Sequence, residues 1–238
     1  MPKVLKDYSD ERNKAWCVHC GSSLSETGTT RDHTPSKVLL NRPLPNDLAV
    51  TPICGPCNRS FSMDEEYFAS FLSAVLSGTC DPEQQVIKHC GKAMKRSAGL
   101  RKLIEGQRVE QFCFWGPSDL RWFPDLSRFR NVILKNARAH LFYENGEPMT
   151  EAPAFVEFSP LSLMDSAQKN EFFEVNYLQP WCEVGSRWNT RLIEGDEFDE
   201  WGFLVVQPET YRFRIDAGGL GVRSIIREYL ATSVFWEC

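Results

Sequence analysis

The sequence predicts an α+β protein with a helical N-terminal part and a β-rich C-terminal part. Apolar side chains between Tyr67 and Leu76 recur at the spacing of one helical face. Residues Tyr211 to Ile215 instead alternate apolar and charged side chains, as a strand with one solvated face does. Because aromatic and β-branched runs begin at Val109, we expect one domain over 1–108 and a mainly antiparallel α+β domain over 109–238.

Charge is divided unequally between the two parts. Residues 1–108 carry 15 basic and 12 acidic side chains, a net charge of +3, whereas residues 109–238 carry 12 and 20, a net charge of -8. The N-terminal part therefore suits contact with a nucleic acid better than the overall charge of -5 indicates. The N-terminus has no apolar signal core, and no apolar run is long enough to cross a membrane. We expect a cytoplasmic protein with reduced thiols.

Two Cys-x-x-Cys pairs lie in the N-terminal part. Cys17 and Cys20 form the first pair, Cys54 and Cys57 form the second, and 33 residues separate the pairs. Four thiolates complete a tetrahedral shell around Zn²⁺, so we expect one structural zinc ion. His19 is expected to be an exposed turn residue, since the cysteines already supply four ligands. The other cysteines show no ligand spacing and are expected to be free thiols: Cys80, Cys90, Cys113, Cys182 and Cys238.

The segment between the cysteine pairs carries Asp32 and His33, and Asn58 directly follows the second pair. Zinc at both ends of this segment would bring the three residues into one neighbourhood. Carboxylate and amide oxygens suit Mg²⁺ or Mn²⁺, and histidine is a general base near neutral pH. These are the groups that phosphodiester hydrolysis requires. For Asp32 and His33 taken alone, a surface histidine capped by an aspartate is the simpler interpretation.

The order Cys-x-x-Cys, Asp-His followed closely by Pro, and Cys-x-x-Cys-Asn resembles the zinc-knuckle branch of the HNH endonuclease family over about residues 14–66. The resemblance implies a ββα-metal finger in which His33 activates water and Asp32 and Asn58 bind Mg²⁺ or Mn²⁺. Asn46 is nearest in kind to the middle motif residue, although it lies farther from the second cysteine pair than the family spacing. A role in bacterial restriction or phage defence is implied by the resemblance alone.

Basic side chains are candidates for contact with a phosphate backbone. Those that flank the motif are Arg31, Lys37, Arg42 and Arg59. From Lys88 to Arg108, seven basic residues face one acidic residue, Glu105, which predicts a surface that grips duplex DNA, with Lys95 and Arg96 among its contacts. Ordinary solvated surface charge is the alternative for both groups.

Capping and turn residues predict the helices. Ser62 and Glu65 have the spacing of a capping box, which predicts the helix of the ββα unit from Ser62 to Gly78. Asp81 followed by Pro82 predicts the next helix start. Further breaks are expected at Gly91, Gly99 and Gly106.

The C-terminal part is expected to contain short strands separated by turns. The predicted strands are 112–115, 132–134, 139–143, 155–158, 203–206 and 211–215. Residues 131–140 fit a short helix as an alternative, and 222–230 fit a helix better than a strand. Residues 218–221 lack the lysine of a phosphate loop and are expected to form a hairpin turn.

The leading functional hypothesis is a metal-dependent nuclease that acts on nucleic acid, double-stranded DNA in the first place. Its alternatives are a zinc-stabilised nucleic-acid-binding module without catalysis and a protein-interaction protein whose acidic half binds a partner or a second copy through residues 109–238. Asp32, His33 and Asn58 favour catalysis, whereas the displaced Asn46 favours the non-catalytic module.

Overall fold

The structure is a computed structural model, and it describes residues 5, 11–111, 119–146, 148–174, 186–194, 198–216 and 220–237. Helices and antiparallel sheets are mixed in these residues, which confirms the α+β class. The α-helices are α1 Leu24–Thr27, α2 Gly55–Ser77, α3 Lys88–Arg96, α4 Ala98–Glu105, α5 Leu126–Asn145, α6 Ser166–Phe173 and α7 Arg187–Glu194. The 3₁₀ helices are Glu11–Ala15, Lys37–Leu39, Pro82–Gln84 and Leu161–Leu163. Among the described helices, none combines the length and apolar character needed to cross a membrane.

All strand pairs in the described residues are antiparallel. The strands are β1 Thr29–Thr34, β2 Ala49–Cys54, β3 Arg108–Gln111, β4 Asp119–Trp122, β5 Phe155–Pro160, β6 Leu204–Gln207, β7 Tyr211–Asp216, β8 Gly221–Ile226 and β9 Leu230–Phe235. Strands β1 and β2 form one hairpin, β3 and β4 form another, and a five-stranded sheet has the order β5-β9-β8-β7-β6.

The chain forms two compact units. The first contains Met1–Arg59 together with Ile133–Cys238, and the second contains Ser60–Val132. Helices α2 and α5 each contribute residues to both units. This grouping does not coincide with the predicted boundary after residue 108, because residues of the N-terminal hairpin and of α5 pack in one unit. A division of function at that boundary stays a prediction.

Helix α2 begins directly where β2 ends. The amide of Cys57 donates a hydrogen bond to Sγ of Cys54 (3.4 Å), which satisfies one of the free amides of the first turn. Pro56 suits this turn because its φ angle is already helical. The helix therefore starts at Gly55, and the predicted start at Ser62 is wrong. It ends at Gly78, whose φ of 67° is the left-handed conformation that glycine tolerates.

In the first unit, the five-stranded sheet confirms the predicted strands at 155–158, 203–206 and 211–215. The predicted helix over 222–230 is wrong. These residues form the end of β8, a turn and the start of β9, and most side chains of β8 are buried on both faces. Such a strand lacks the alternation that identifies a half-exposed strand. Conversely, the predicted strands 132–134 and 139–143 belong to α5, as the alternative helix over 131–140 indicated.

The second unit has an aromatic core and two short helices. The ring of Phe129 packs against Phe68 in a tilted arrangement and against Phe71 edge-on, with ring centroids 4.3 and 5.3 Å apart, respectively. The break between α3 and α4 falls at Ser97, whose hydroxyl accepts a hydrogen bond from the amide of Leu100 (3.2 Å). Gly91 does not break α3, because it is needed where the carbonyl of Pro82 approaches the helix closely.

Asp81 and Pro82 start a helix as predicted, in 3₁₀ form, with the Asp81 carboxylate capping the amide of Glu83 (3.1 Å). Gly106 follows the end of α4, which confirms that break. The predicted strand 112–115, residues 218–219 of the predicted turn, and Cys113, Cys182 and Cys238 lie outside the described residues. Cys80 and Cys90 are buried.

The segment between β1 and β2 is fastened to the C-terminal sheet of the first unit. The backbone amide of Asn41 donates to Oε1 of Gln207 (2.7 Å), and the side-chain amide of Asn41 donates to the hydroxyl of Thr210 (3.1 Å). Arg227 donates to the side chain of Asn41 (2.9 Å) and to the carbonyl of Leu39 (3.2 Å). The connection that follows His33 therefore has its position fixed by residues from the far end of the chain.

Candidate metal centre and neighbouring polar site

The four predicted cysteine ligands come together. The sulfur atoms of Cys17, Cys20, Cys54 and Cys57 all lie within 4.8 Å of one another. Sγ of Cys20 is 3.8 Å from Sγ of Cys54. A regular tetrahedron with metal–sulfur bonds of about 2.3 Å has sulfur–sulfur edges of about 3.8 Å, so the cluster has the dimensions of a four-thiolate metal site.

Backbone geometry holds the first cysteine pair in a tight turn. The amide of Gly21 donates to the carbonyl of Cys17 (2.8 Å), and Gly21 adopts a φ of 67° that favours glycine. The amide of Cys54 donates to Sγ of Cys17 (3.4 Å). The loop, the end of β2 and the first turn of α2 therefore all point sulfur atoms at one position.

An apolar shell surrounds the sulfur atoms on the protein side. Cys17 and Cys54 are buried together with Val18, Leu24, Ile53 and Phe142. Burial raises the pKa of the Cys54 thiol, and it likewise raises that of Cys57. Burial acts in the same direction on Cys20, but hydrogen bonds with Ser22, and with Cys57 and Cys17, outweigh this and lower the pKa to about 6. Four thiolates in this environment need a cation, since an uncompensated buried charge is costly.

Asp32 lies on β1 with its side chain on the buried face. The strand alternates, with Asp32 and Thr34 buried, Arg31 exposed and His33 half-buried. Nζ of Lys135 lies 2.8 Å from Oδ1 of Asp32, and these side chains are only 2% and 8% exposed. The same ammonium group donates to the hydroxyl of Ser36 (2.9 Å). Asp32 is thus one half of a buried ion pair.

His19 lies beside this ion pair. Its Nε2 is 3.6 Å from Oδ2 of Asp32, and the residue is 6% exposed. The expectation that His19 is an exposed turn residue is therefore wrong, because its ring turns inward towards the carboxylate. Burial lowers the pKa of His19. Burial would raise the pKa of Asp32, but the neighbouring His19 and Lys135 hold it below its usual value.

His33 lies on the opposite face of β1 and pairs across the hairpin with Val50. Partial burial lowers the pKa of its imidazole, and so do Lys37, Arg31 and Lys135, while Asp32 raises it. A neutral imidazole that remains partly open to solvent can accept a proton. Arg31 and Lys37 are exposed, and their positive charges act on His33. This face can accommodate an anion.

Asn58 lies in the first turn of α2, and its side-chain amide donates to the hydroxyl of Thr30 (3.2 Å). Thr30 and Asp32 are two residues apart on β1 and share a face, so Asn58 belongs to the Asp32 side of the hairpin. Asn46 is exposed in the turn that precedes β2, and Arg59 is exposed on α2. The structure thus puts Asp32 and Asn58 on one face of the hairpin and His33 on the other.

Two of the predicted DNA contacts have acidic neighbours in the second unit. Lys95 pairs with Glu83 at 2.8 Å, and Arg96 pairs with Glu66 at 2.5 Å. Lys88 and Lys92 lie two turns and one turn before Lys95, respectively, and are also exposed. Exposed basic residues therefore line one side of α3, and part of their charge is compensated.

Sequence reasoning missed the contribution of α5. Three of its side chains recur at helical spacing and reach the site. Lys135 contacts Asp32, Arg138 contacts the carbonyl of His19, and Phe142 contacts the cysteine cluster. This helical spacing was the signal in the sequence for a helix that reaches the site, and the predicted strand over 139–143 obscured it.

Comparison of the chain with protein-family models, with curated proteins and with solved structures finds no match.

Proposed function

We propose that the chain is a metal-dependent endonuclease of the HNH type, that it acts on DNA, and that its four cysteines hold a structural zinc ion. One observation carries the proposal. An antiparallel hairpin with Asp32 and His33 on its first strand runs directly into a helix with Asn58 in its first turn, and cysteines from both sides of this unit converge. This is the ββα order that the motif resemblance implies.

The residues can be assigned to the parts of a hydrolytic reaction. His33 would take a proton from the attacking water, since its imidazole is partly open and lies near cations. Asp32 and Asn58 would hold Mg²⁺ or Mn²⁺, because they share one face of the hairpin and Lys135 pairs with Oδ1 of Asp32 rather than with Oδ2. Such an ion, when bound, stabilises charge on the phosphate and the leaving oxygen. Arg31, Lys37 and Arg59 would position the phosphate backbone.

The test of this proposal is cleavage of plasmid DNA by purified protein with Mg²⁺ or Mn²⁺. His33→Ala is expected to lower the cleavage rate by about 10²–10⁴-fold, because a general base contributes on that order to the transition state. Zinc content and DNA affinity should stay unchanged. The matched control is His89→Ala on α3, which should cut at the wild-type rate. A His33→Ala protein that cuts as fast as the wild type would falsify the assignment of His33 as the base.

A second candidate function is a zinc-stabilised nucleic-acid-binding module without catalysis. The buried pair of Lys135 with Asp32 favours it, because the ammonium group already compensates the negative charge of the carboxylate that would bind a divalent cation. This candidate predicts DNA binding by the wild-type protein without cleavage under any divalent ion. Cleavage that depends on Mg²⁺ or Mn²⁺ would exclude it.

The exposed basic residues of α3 give a prediction for DNA binding. Lys88→Glu combined with Lys92→Glu should weaken binding to all sequences alike and reduce the slope of log affinity against log salt by about 2, because each lost phosphate contact removes about 0.9. Fluorescence anisotropy at several salt concentrations measures both quantities. Changing Lys95 and Arg96 should have a smaller effect, since Glu83 and Glu66 already compensate them.

The control for this measurement is Lys169→Glu on α6, a charge reversal at an exposed lysine of the first unit. It should change the affinity and the salt slope only slightly. If the Lys88 and Lys92 double variant binds like the wild type, α3 carries an ordinary solvated face.

A further inference from the structure

The side chain of Arg138 on α5 reaches the loop that carries the first cysteine pair. Its Nη1 donates to the carbonyl of His19, a residue between Cys17 and Cys20, at 3.1 Å. Its Nη2 donates to two further carbonyls, those of Thr150 at 3.0 Å and Glu151 at 2.7 Å. One guanidinium group thus ties the cysteine loop to a distant segment of the chain.

That segment, residues 148–152, lies beside the loop. The methyl group of Thr150 would lie only 3.4 Å from a β-carbon added to Gly21, the residue that follows Cys20. At its other end the segment is anchored by Trp236, whose indole N–H donates to the carbonyl of Glu151 (3.1 Å). The Arg138 bridge therefore joins the cysteine loop to a segment that Trp236 holds in place.

The charge of Arg138 matters as well as its hydrogen bonds. Four thiolates around a divalent ion leave two negative charges in excess. The guanidinium group of Arg138 contacts the loop between Cys17 and Cys20, so its positive charge lies beside the first cysteine pair. Phe142, one turn further along α5, packs in the apolar shell of the same cluster.

We propose that Arg138 is a positioning residue of the metal centre, which fixes the first cysteine pair through the His19 carbonyl and offsets the excess negative charge of the bound thiolates. Residues outside the ligand shell that orient ligands change metal affinity by about 10–100-fold when they are removed. Arg138 supplies both orientation and charge, and lysine could supply only the charge, because its ammonium cannot span the same set of carbonyls as a planar fork.

The experiment measures zinc affinity and zinc release against a chromophoric chelator for the purified full chain. Arg138→Gln should weaken zinc binding by about 10–100-fold and speed its release, and Arg138→Lys should fall between this variant and the wild type. In Co²⁺-substituted protein, the ligand-field absorption should change in Arg138→Gln, since the sulfur atoms lose their fixed arrangement. This signature would not move if Arg138 only stabilised the fold.

The matched control is Arg223→Gln. Arg223 also donates to two carbonyls, of Glu171 (2.6 Å) and Phe172 (2.9 Å), but these belong to the end of α6. This variant should lose thermal stability without any change in zinc affinity or Co²⁺ absorption.

Zinc affinity of Arg138→Gln within about twofold of the wild type would overturn the proposal. If Arg138→Gln is recovered unfolded, refolding it with excess zinc decides the matter. Recovery of folded protein at raised zinc supports the role at the metal centre, whereas failure at every zinc concentration marks Arg138 as a general structural residue and overturns it. A wild-type protein that binds no zinc would overturn it together with the zinc site.

Discussion

Cys54→Ser is expected to release the metal ion and to unfold the first compact unit at room temperature. Cys54 is 1% exposed, ends β2, and accepts the amide hydrogen bond that starts α2. Structural zinc contributes about 10–16 kcal/mol in small zinc domains, whereas the net stability of a whole domain is about 5–15 kcal/mol. Loss of one ligand therefore removes an amount comparable to the entire stability.

Elemental analysis and thermal denaturation followed by circular dichroism check this expectation. The wild type should contain one zinc ion per chain, and Cys54→Ser should contain none and show no cooperative transition of the first unit. The matched control is Cys80→Ser, at a buried cysteine of the second unit, which should keep its zinc. Retention of both zinc and the melting temperature in Cys54→Ser would remove the basis for a structural metal.

The second large effect is expected at Lys135. Lys135→Met should lower the free energy of unfolding by about 3–5 kcal/mol, because it leaves the Asp32 carboxylate buried without its partner. Asp32→Asn should also destabilise the fold. The double variant should be more stable than the sum of the two losses predicts, and the difference is the coupling energy of the pair. Urea denaturation of the four proteins measures this cycle.

The same variant tests whether the Asp32 carboxylate can bind a divalent ion. Once Lys135 is replaced by methionine, the freed carboxylate should bind Mg²⁺ or Mn²⁺, and these ions should raise the melting temperature of Lys135→Met. Arg191→Met is the control, since Arg191 and Glu144 form a second buried pair at 2.9 Å with side chains 2% and 3% exposed. Arg191→Met should be destabilised to a similar extent, but Mg²⁺ or Mn²⁺ should raise its melting temperature less. Equal responses of both variants would show that the freed Asp32 carboxylate is not a metal ligand.

Local signals in the sequence predicted much of the first unit's framework. The spacing of Cys17, Cys20, Cys54 and Cys57 predicted the cluster, because each pair lies on one short turn. Strict alternation identified the strand at Tyr211, where one face of the sheet is less buried than the other. The same rule failed at Val222, since a strand buried on both faces has no alternation to detect.

The surroundings of the candidate site were less predictable. Lys135 and Asp32 are 103 positions apart in the sequence, and no local pattern connects them. His19 was misplaced for the same reason, because its burial depends on Asp32 and not on its neighbours in the turn. The nuclease function stays a prediction that rests on motif order and on the hairpin followed by a helix.

The fastening of Asn41 has a consequence for how the protein is made. Its partner Arg227 lies 186 positions later in the sequence. At a synthesis rate of about 5–20 residues per second, the ribosome needs roughly 10–40 s to produce this partner after Asn41 has been added. During that interval the connection after His33 lacks its contact with Arg227. For more than half of the interval, Asp32 also lacks its partner Lys135. A nascent chain therefore lacks these contacts of the hairpin site until most of the C-terminal sheet has been synthesised.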